Sequence, residues 1–173
     1  LIVFFRGKAA TGKTTIADLI SYQKKFTVLS KDHIFDELLK QGVEWDMATS
    51  LAYDKLADTI QDYYEADLDV IVDIGLAHTP YFKGFLKKMT LDMQHIKLFL
   101  FVCENNKMWE ERMAKRINSP ESSNQSFKSI QEAIQHYEVY KIYRLPNEIE
   151  IDSAQPIESI VKKIYDEMRW YNE

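Results

Sequence analysis

The chain has 173 residues, a length that suits one domain around one core, since such a domain buries roughly 70% of the surface its unfolded chain would expose. With 46% hydrophobic and 28% charged residues and only five Gly and four Pro, the composition excludes a disordered, collagen-like or linker-dominated chain. A net charge of −5 excludes broad attraction to bulk nucleic acid, and the single cysteine, Cys103, excludes an internal disulfide or a thiol zinc cluster, which points to a reducing, cytoplasmic setting.

The opening run Leu1-Ile2-Val3-Phe4-Phe5 stops at Arg6, too soon for a secretory segment, and reads as a strand. No later stretch approaches the roughly 20 apolar residues of a membrane helix, so no membrane span is expected. Directly behind the first strand, Gly7-Lys8-Ala9-Ala10-Thr11-Gly12-Lys13-Thr14 matches G-x-x-x-x-G-K-[ST], and a helical pattern from Lys13 to Gln23 begins at once. Strand, glycine-bounded loop and helix are the context a P-loop requires.

The spacing has a physical reason. Glycines let the backbone curl so that successive N–H groups of Ala9, Ala10, Thr11 and Gly12 point at phosphate oxygens, and the helix behind adds its unpaired N–H groups and positive dipole end. Lys13, expected to stand exposed, reaches the β- and γ-phosphates, the Thr14 hydroxyl is placed for Mg²⁺, and Thr15 can add an α-phosphate contact. The four specified positions arise by chance in roughly one chain of this length in two hundred, before the flanking strand and helix are required.

A second strand, Phe26 to Leu29, leads to Ser30-Lys31-Asp32-His33 and an amphipathic helix from Asp32 to Lys40. Asp32 stands where ligands bind in an open parallel sheet, so it is a candidate base for an acceptor hydroxyl; the alternative is that it caps the helix. Gly42 stops that helix, and Asp46 is expected to cap the next, Met47 to Glu65. The third strand, Val70 to Ile74, delivers Asp73 near its C-terminal end in the manner of a Walker B carboxylate, with an ordinary turn-capping Asp as the alternative.

Thr79-Pro80 opens a helix expected to run to Met93, a fourth strand covers Ile96 to Cys103, and a helix follows from Lys107 to Arg116. Arg112 and Arg116 lie one turn apart with no acid four residues before Arg112, an arrangement that repels itself unless an anion lies between them. A lid, approximately 112–128, carrying both onto the transferring phosphoryl group would explain this; two solvated arginines are the alternative. The polar stretch Asn118 to Ser126 is the one segment that reads as a mobile connection. A helix from Ile130 to Tyr143, a strand from Glu148 to Ile151 and a helix from Ile157 to Tyr171, opened by Pro156, complete the chain.

Strands alternate with helices throughout, and four of the five strands are nearly continuous apolar runs, as strands covered on both faces require. The fold class is α/β in three layers, and residues 1–173 read as one domain. Asn106-Lys107-Met108-Trp109 lacks the Asp of a guanine-reading motif, which argues against a GTPase switch, and the length leaves little room for the extra elements of motor ATPases. Two activities stay open: an ATP-dependent kinase acting on a hydroxyl-bearing acceptor, or a nucleotide-binding ATPase that regulates a protein partner.

Phe4 to Thr15, Ser30-Lys31-Asp32, Val70 to Asp73, Arg112, Arg116 and Ile149-Glu150-Ile151-Asp152-Ser153 together resemble the small P-loop kinases, closest to the chloramphenicol phosphotransferase, zeta-toxin and polynucleotide-kinase-like group. The resemblance spans nearly the whole chain, with the P-loop its specific part. It implies a five-stranded parallel sheet in order 2-3-1-4-5, Asp32 as base, an arginine-bearing lid with Arg112 and Arg116, and ATP with Mg²⁺. Lys8 inside the loop and His33 after the base depart from the group's pattern. Trp45, His78 and Tyr81 border the expected acceptor pocket. His95, His136, Tyr63-Tyr64 and Tyr137 to Tyr143 read as surface or packing residues, and Cys103 as an inert core thiol.

Overall fold

The computed structural model describes residues 1–119 and 127–168. Five strands, β1 (Ile2–Gly7), β2 (Thr27–Ser30), β3 (Val70–Ile74), β4 (Ile96–Val102) and β5 (Glu148–Asp152), form one sheet in the order β2-β3-β1-β4-β5, every pair parallel. This is the order expected. β1 is central, with Phe5 opposite Asp73 of β3 on one side and Phe99 of β4 on the other, and Ser30 of β2 opposite Asp73 in turn.

Alternation along β1 divides the core. Val3 and Phe5 pack with Ile16, Ala17 and Ile20 of α1 (Lys13–Lys24) and with Ile160, Val161 and Ile164 of α7 (Ile157–Met168). Ile2 and Phe4 pack with Leu56, Ala57 and Ile60 of α3 (Trp45–Glu65) and with Phe82 and Phe85 of α4 (Thr79–Leu86). Period-two side chains thus fill two cores, one on each face, which makes the three layers. α2 (Lys31–Lys40) packs on α3 through Phe35, Leu38, Ala48 and Ala52, while α5 (Asn106–Ile117) and α6 (Ile130–Glu138) build a further cluster around Trp109, Met113, Ala133 and Tyr137.

Several boundaries differ from the sequence expectation. α4 ends at Leu86, short of the expected Met93; residues 87–92 are turn and loop, and a short 3-10 turn at Met93–His95, capped by the Asp92 carboxylate, leads into β4. α6 ends at Glu138 because the following residues bond elsewhere: Lys141 O accepts from Thr79 N at 2.9 Å, Lys141 N donates to His78 Nδ1 at 3.0 Å, and Tyr143 N donates to Thr79 Oγ1 at 3.0 Å. Tertiary partners override the helical spacing there. α3 begins at Trp45 with Glu44 at the N-cap, so Asp46 lies in its first turn and does not cap it. Cys103 falls just past β4, half-buried, its thiol donating to Asn105 O at 3.4 Å.

Arg6 is fully buried in β1 among apolar neighbours. Its Nε and Nη2 donate to the two oxygens of Glu148 at 2.6 and 2.7 Å, Nη1 donates to Ala77 O and Thr79 Oγ1 at 3.2 and 3.3 Å, and Nη2 also donates to Tyr143 O at 2.9 Å. Such saturation is what makes a charge tolerable inside a core. Nothing in the local sequence announced it.

Candidate active site

The C-terminal ends of β1, β2 and β3 lie side by side, and the loop after β1 turns back over them. Gly7 needs its missing side chain: at φ 145°, a Cβ there would stand 2.2 Å from Phe101 O of β4. Gly12, at φ 79° and ψ 10°, is the N-cap of α1 and makes no side-chain cap bond, and no acid stands in the helix's first turn. The amides that open α1 are therefore left for an anion, as the P-loop reading requires.

Lys13 is buried, 7% exposed, contrary to the expectation that it stands out from the surface. Its ammonium folds back along the loop, donating to Lys8 O at 2.8 Å and Gly7 O at 3.2 Å. Burial pushes Lys13 below the ordinary lysine value, the Asp73 carboxylate opposes that shift, the Arg116 guanidinium deepens it and Asp32 opposes it. These four groups share one electrostatic neighbourhood.

The Thr14 hydroxyl donates to Asp73 Oδ2 at 2.5 Å, so the two residues expected to serve a metal meet across the gap between α1 and β3. Burial pushes the Asp73 carboxyl up, while Lys13 and the Thr14 hydrogen bond draw it back and Asp32 adds to the rise. A hydroxyl and a carboxylate are hard oxygen donors that fit Mg²⁺, an ion that takes few protein ligands and completes its shell with phosphate and water. Among the described residues no group of three or more His, Cys, Asp or Glu could hold a metal without such help.

Asp32 is the second residue of α2, whose N-cap is Ser30, so it does not serve as the cap. Lys31 Nζ lies 2.7 Å from Asp32 Oδ1 and stands 4.8 Å from the Phe35 ring centroid and 5.8 Å from that of Tyr53. Burial pushes the Tyr53 phenol up, helped by Asp32, Tyr140 and Tyr137.

The two arginines part company. Arg112 donates to Ser153 Oγ at 3.1 Å and Ser153 O at 3.0 Å, at the end of β5, whereas Arg116 acts on Lys13 and Tyr137. Both belong to α5. Of the expected lid, residues 120–126 lie outside the described residues.

Two contacts were not foreseen. The Ala9 amide of the P-loop donates to the Tyr137 hydroxyl at 2.9 Å, and the Trp109 indole Nε1 donates to Ala9 O at 2.9 Å. Their only trace in the sequence was the aromatic residue at the start of one helix and the tyrosines of another, which read as packing. His78 stacks on Tyr81 and Tyr140 with ring centroids 4.4 and 5.0 Å apart, and Trp45 on Phe35 at 4.7 Å. A cavity of about 420 Å³ away from the loop, lined by Glu104, Glu148, Glu150, Asp152 and Glu167 with Arg144 and Lys163, is predominantly acidic and unsuited to a nucleotide.

Residues 2–140 match the family model of an AAA domain, which spans most of the chain and all of the P-loop. The chain belongs to this AAA-domain family. No curated protein sequence matches it. Its fold resembles that of an unliganded sugar kinase from Janibacter sp. HTCC2649, at TM-score 0.65 and 15% identity, covering 94% of this chain and 91% of that one. It also resembles a gluconokinase from Sinorhizobium meliloti 1021, at TM-score 0.63 and 13% identity over 99% and 97% of the two chains. A shikimate kinase from Acinetobacter baumannii, solved with shikimate, aligns at TM-score 0.60 and 14% identity over 98% and 93%. The shared feature at these identities is the P-loop kinase fold. Among the described residues no helix is long and apolar enough to cross a membrane.

Proposed function

We propose that this protein is an ATP-dependent kinase that transfers the γ-phosphoryl group to a hydroxyl of a small-molecule acceptor. The observation that carries the reading is the contact of the Thr14 hydroxyl with Asp73 beside the buried Lys13, at the C-terminal edge of the sheet, with Asp32 two residues past Ser30, the β2 residue paired with Asp73. Phosphate binding alone needs no carboxylate at Asp32. Phosphoryl transfer to a hydroxyl does.

In this reading the amides from Ala10 to Thr15 cradle the phosphates, the Ala9 amide being engaged by the Tyr137 hydroxyl, and Lys13 neutralises their outer oxygens. Thr14 and Asp73 would hold Mg²⁺, which would neutralise charge on the phosphate oxygens. Asp32 accepts the proton of the acceptor hydroxyl as it attacks in line, and the Lys31 ammonium, 2.7 Å away, orients that carboxylate. Arg116 faces the charge that develops on the transferring group, while Arg112, tied to Ser153, braces α5 against β5. Residues 1–173 act as a single kinase domain in a reducing, cytoplasmic setting, with ATP and a hydroxyl-bearing acceptor as its partners.

Structural neighbours titled sugar kinase, gluconokinase and shikimate kinase favour a polyhydroxylated acceptor within the small P-loop kinases. Membership of the chloramphenicol phosphotransferase, zeta-toxin and polynucleotide-kinase-like group rests on the sequence motifs. The test is acceptor-dependent ADP release across a library of sugars, sugar acids, nucleosides and antibiotics. ADP release that no acceptor stimulates would favour a regulatory ATPase instead.

A further inference from the structure

Between Gly7 and Gly12 the P-loop carries no glycine, and Ala10 takes φ 60°, a left-handed conformation that a Cβ disfavours. The loop is therefore braced from outside. Tyr137 of α6 accepts the Ala9 N–H and Trp109 of α5 donates to the Ala9 carbonyl, so both backbone polar groups of this residue are fixed by side chains 128 and 100 residues away in sequence. The two rings meet edge to face with centroids 5.9 Å apart, and the Lys8 ammonium lies 5.3 and 5.4 Å from them.

A phenol that accepts a hydrogen bond still has its own proton to give. Among the described residues the Tyr137 hydroxyl has no acceptor for it, although the residue is 9% exposed. Burial holds the Tyr137 phenol above its ordinary value, so the proton is retained at neutral pH. Arg116 and Asp32 both act on this hydroxyl electrostatically. Lys13 marks which end of the loop this is: its ammonium rests on the carbonyls of Gly7 and Lys8, next to Ala9, and that ammonium serves the outer phosphates.

We propose that Tyr137 is a further residue of the phosphoryl-transfer site: its hydroxyl, oriented by the Ala9 amide, donates to an oxygen of the nucleotide's terminal phosphoryl group. The proposal rests on the nucleotide-binding reading of the loop and adds to it a contact from α6, the helix that follows the lid segment. Tyr137 supplies a neutral donor in place of the Ala9 amide, which its hydroxyl engages.

The test compares two probes, ADP and a non-hydrolysable ATP analogue with Mg²⁺, by calorimetric titration of the full chain and of Tyr137→Phe. The variant keeps the ring and loses the hydroxyl. The analogue should bind roughly tenfold or more weakly, the scale of one hydrogen bond to a charged group, while ADP stays within about twofold. The ratio of the two affinities carries the answer, since partial unfolding would weaken both probes alike. Trp109→Phe, which frees the Ala9 carbonyl and trims the ring but removes no donor to the phosphates, should shift both equally. Equal losses in Tyr137→Phe, or no loss, would overturn the proposal and leave Tyr137 a brace for the loop. Wild-type chain that binds neither probe would overturn the nucleotide reading itself.

Discussion

The guanidinium of Arg6 and the carboxylate of Glu148, 142 residues apart, form a two-pronged ion pair in which both side chains are completely shielded from solvent. Glu148 also accepts from Leu145 N at 2.8 Å, so the pair is bonded at both ends. Removing one partner strands the other. Arg6→Met or Glu148→Gln should each lower stability by about 3 to 5 kcal/mol, while the double apolar replacement should lose less than the sum, as measured by urea denaturation. Additive losses would mean the two charges do not act as a unit.

Lys13→Met should abolish measurable nucleotide binding, with a loss of roughly 100-fold or more, and leave the melting temperature close to that of the wild type. The buried ammonium bonds only within its own loop and is held below its ordinary value by burial, so replacing it with an apolar chain of similar length removes a desolvated charge. Retained ATP binding in this variant would contradict the P-loop assignment.

Nucleotide binding should be sensitive to acid through Asp73. Its carboxyl is raised above the ordinary range chiefly by burial, so the folded chain holds this proton over a pH window in which the unfolded chain has already lost it. Its contribution to stability therefore declines as pH rises through that window. Magnesium and Lys13 both need the ionised form. Titration of Mg·nucleotide at mildly acidic pH, in two buffers of different ionisation heat, should record proton release on binding, and Asp73→Asn should remove that release while weakening the complex.

Asp32→Asn separates binding from chemistry. ATP affinity should stay within a few fold and transfer should fall by roughly 100-fold or more once an acceptor is found, the usual scale for loss of a general base. Capping offers no competing explanation, because Ser30 holds the N-cap of α2. Undiminished transfer would redirect attention to His33 and Asp36.

The parts of this molecule that were legible in the sequence are those written locally. Apolar runs at Ile2 to Phe5 and Val70 to Val72 marked buried strands, and the glycine spacing from Gly7 to Gly12 marked the anion loop. The meeting of Thr14 with Asp73 followed from the strand-end placement of that carboxylate. Arg6 was illegible because its partner lies on another strand and a single charge at the end of an apolar run looks like a strand end. Tyr137 was illegible for a related reason: its ring fits the helical packing pattern of α6, while its hydroxyl meets a backbone amide far away in sequence. The overlong α6 came from the same source, since Tyr143 has helical spacing but bonds Thr79 on both its N–H and its C=O.

The burial of Arg6 bears on how the polypeptide matures as it leaves the ribosome. The central strand is made first, yet its guanidinium finds its carboxylate only when Glu148 has been synthesised, and its bond to Tyr143 is formed by a segment made almost as late. A nascent chain that has emerged through β4 has four of its five strands and an uncompensated cation at the middle of the sheet. Such an intermediate has reason to stay loose, with β1 solvated or held by a chaperone, until the fifth strand arrives. The ion pair thus ties full burial of the central strand to the arrival of β5.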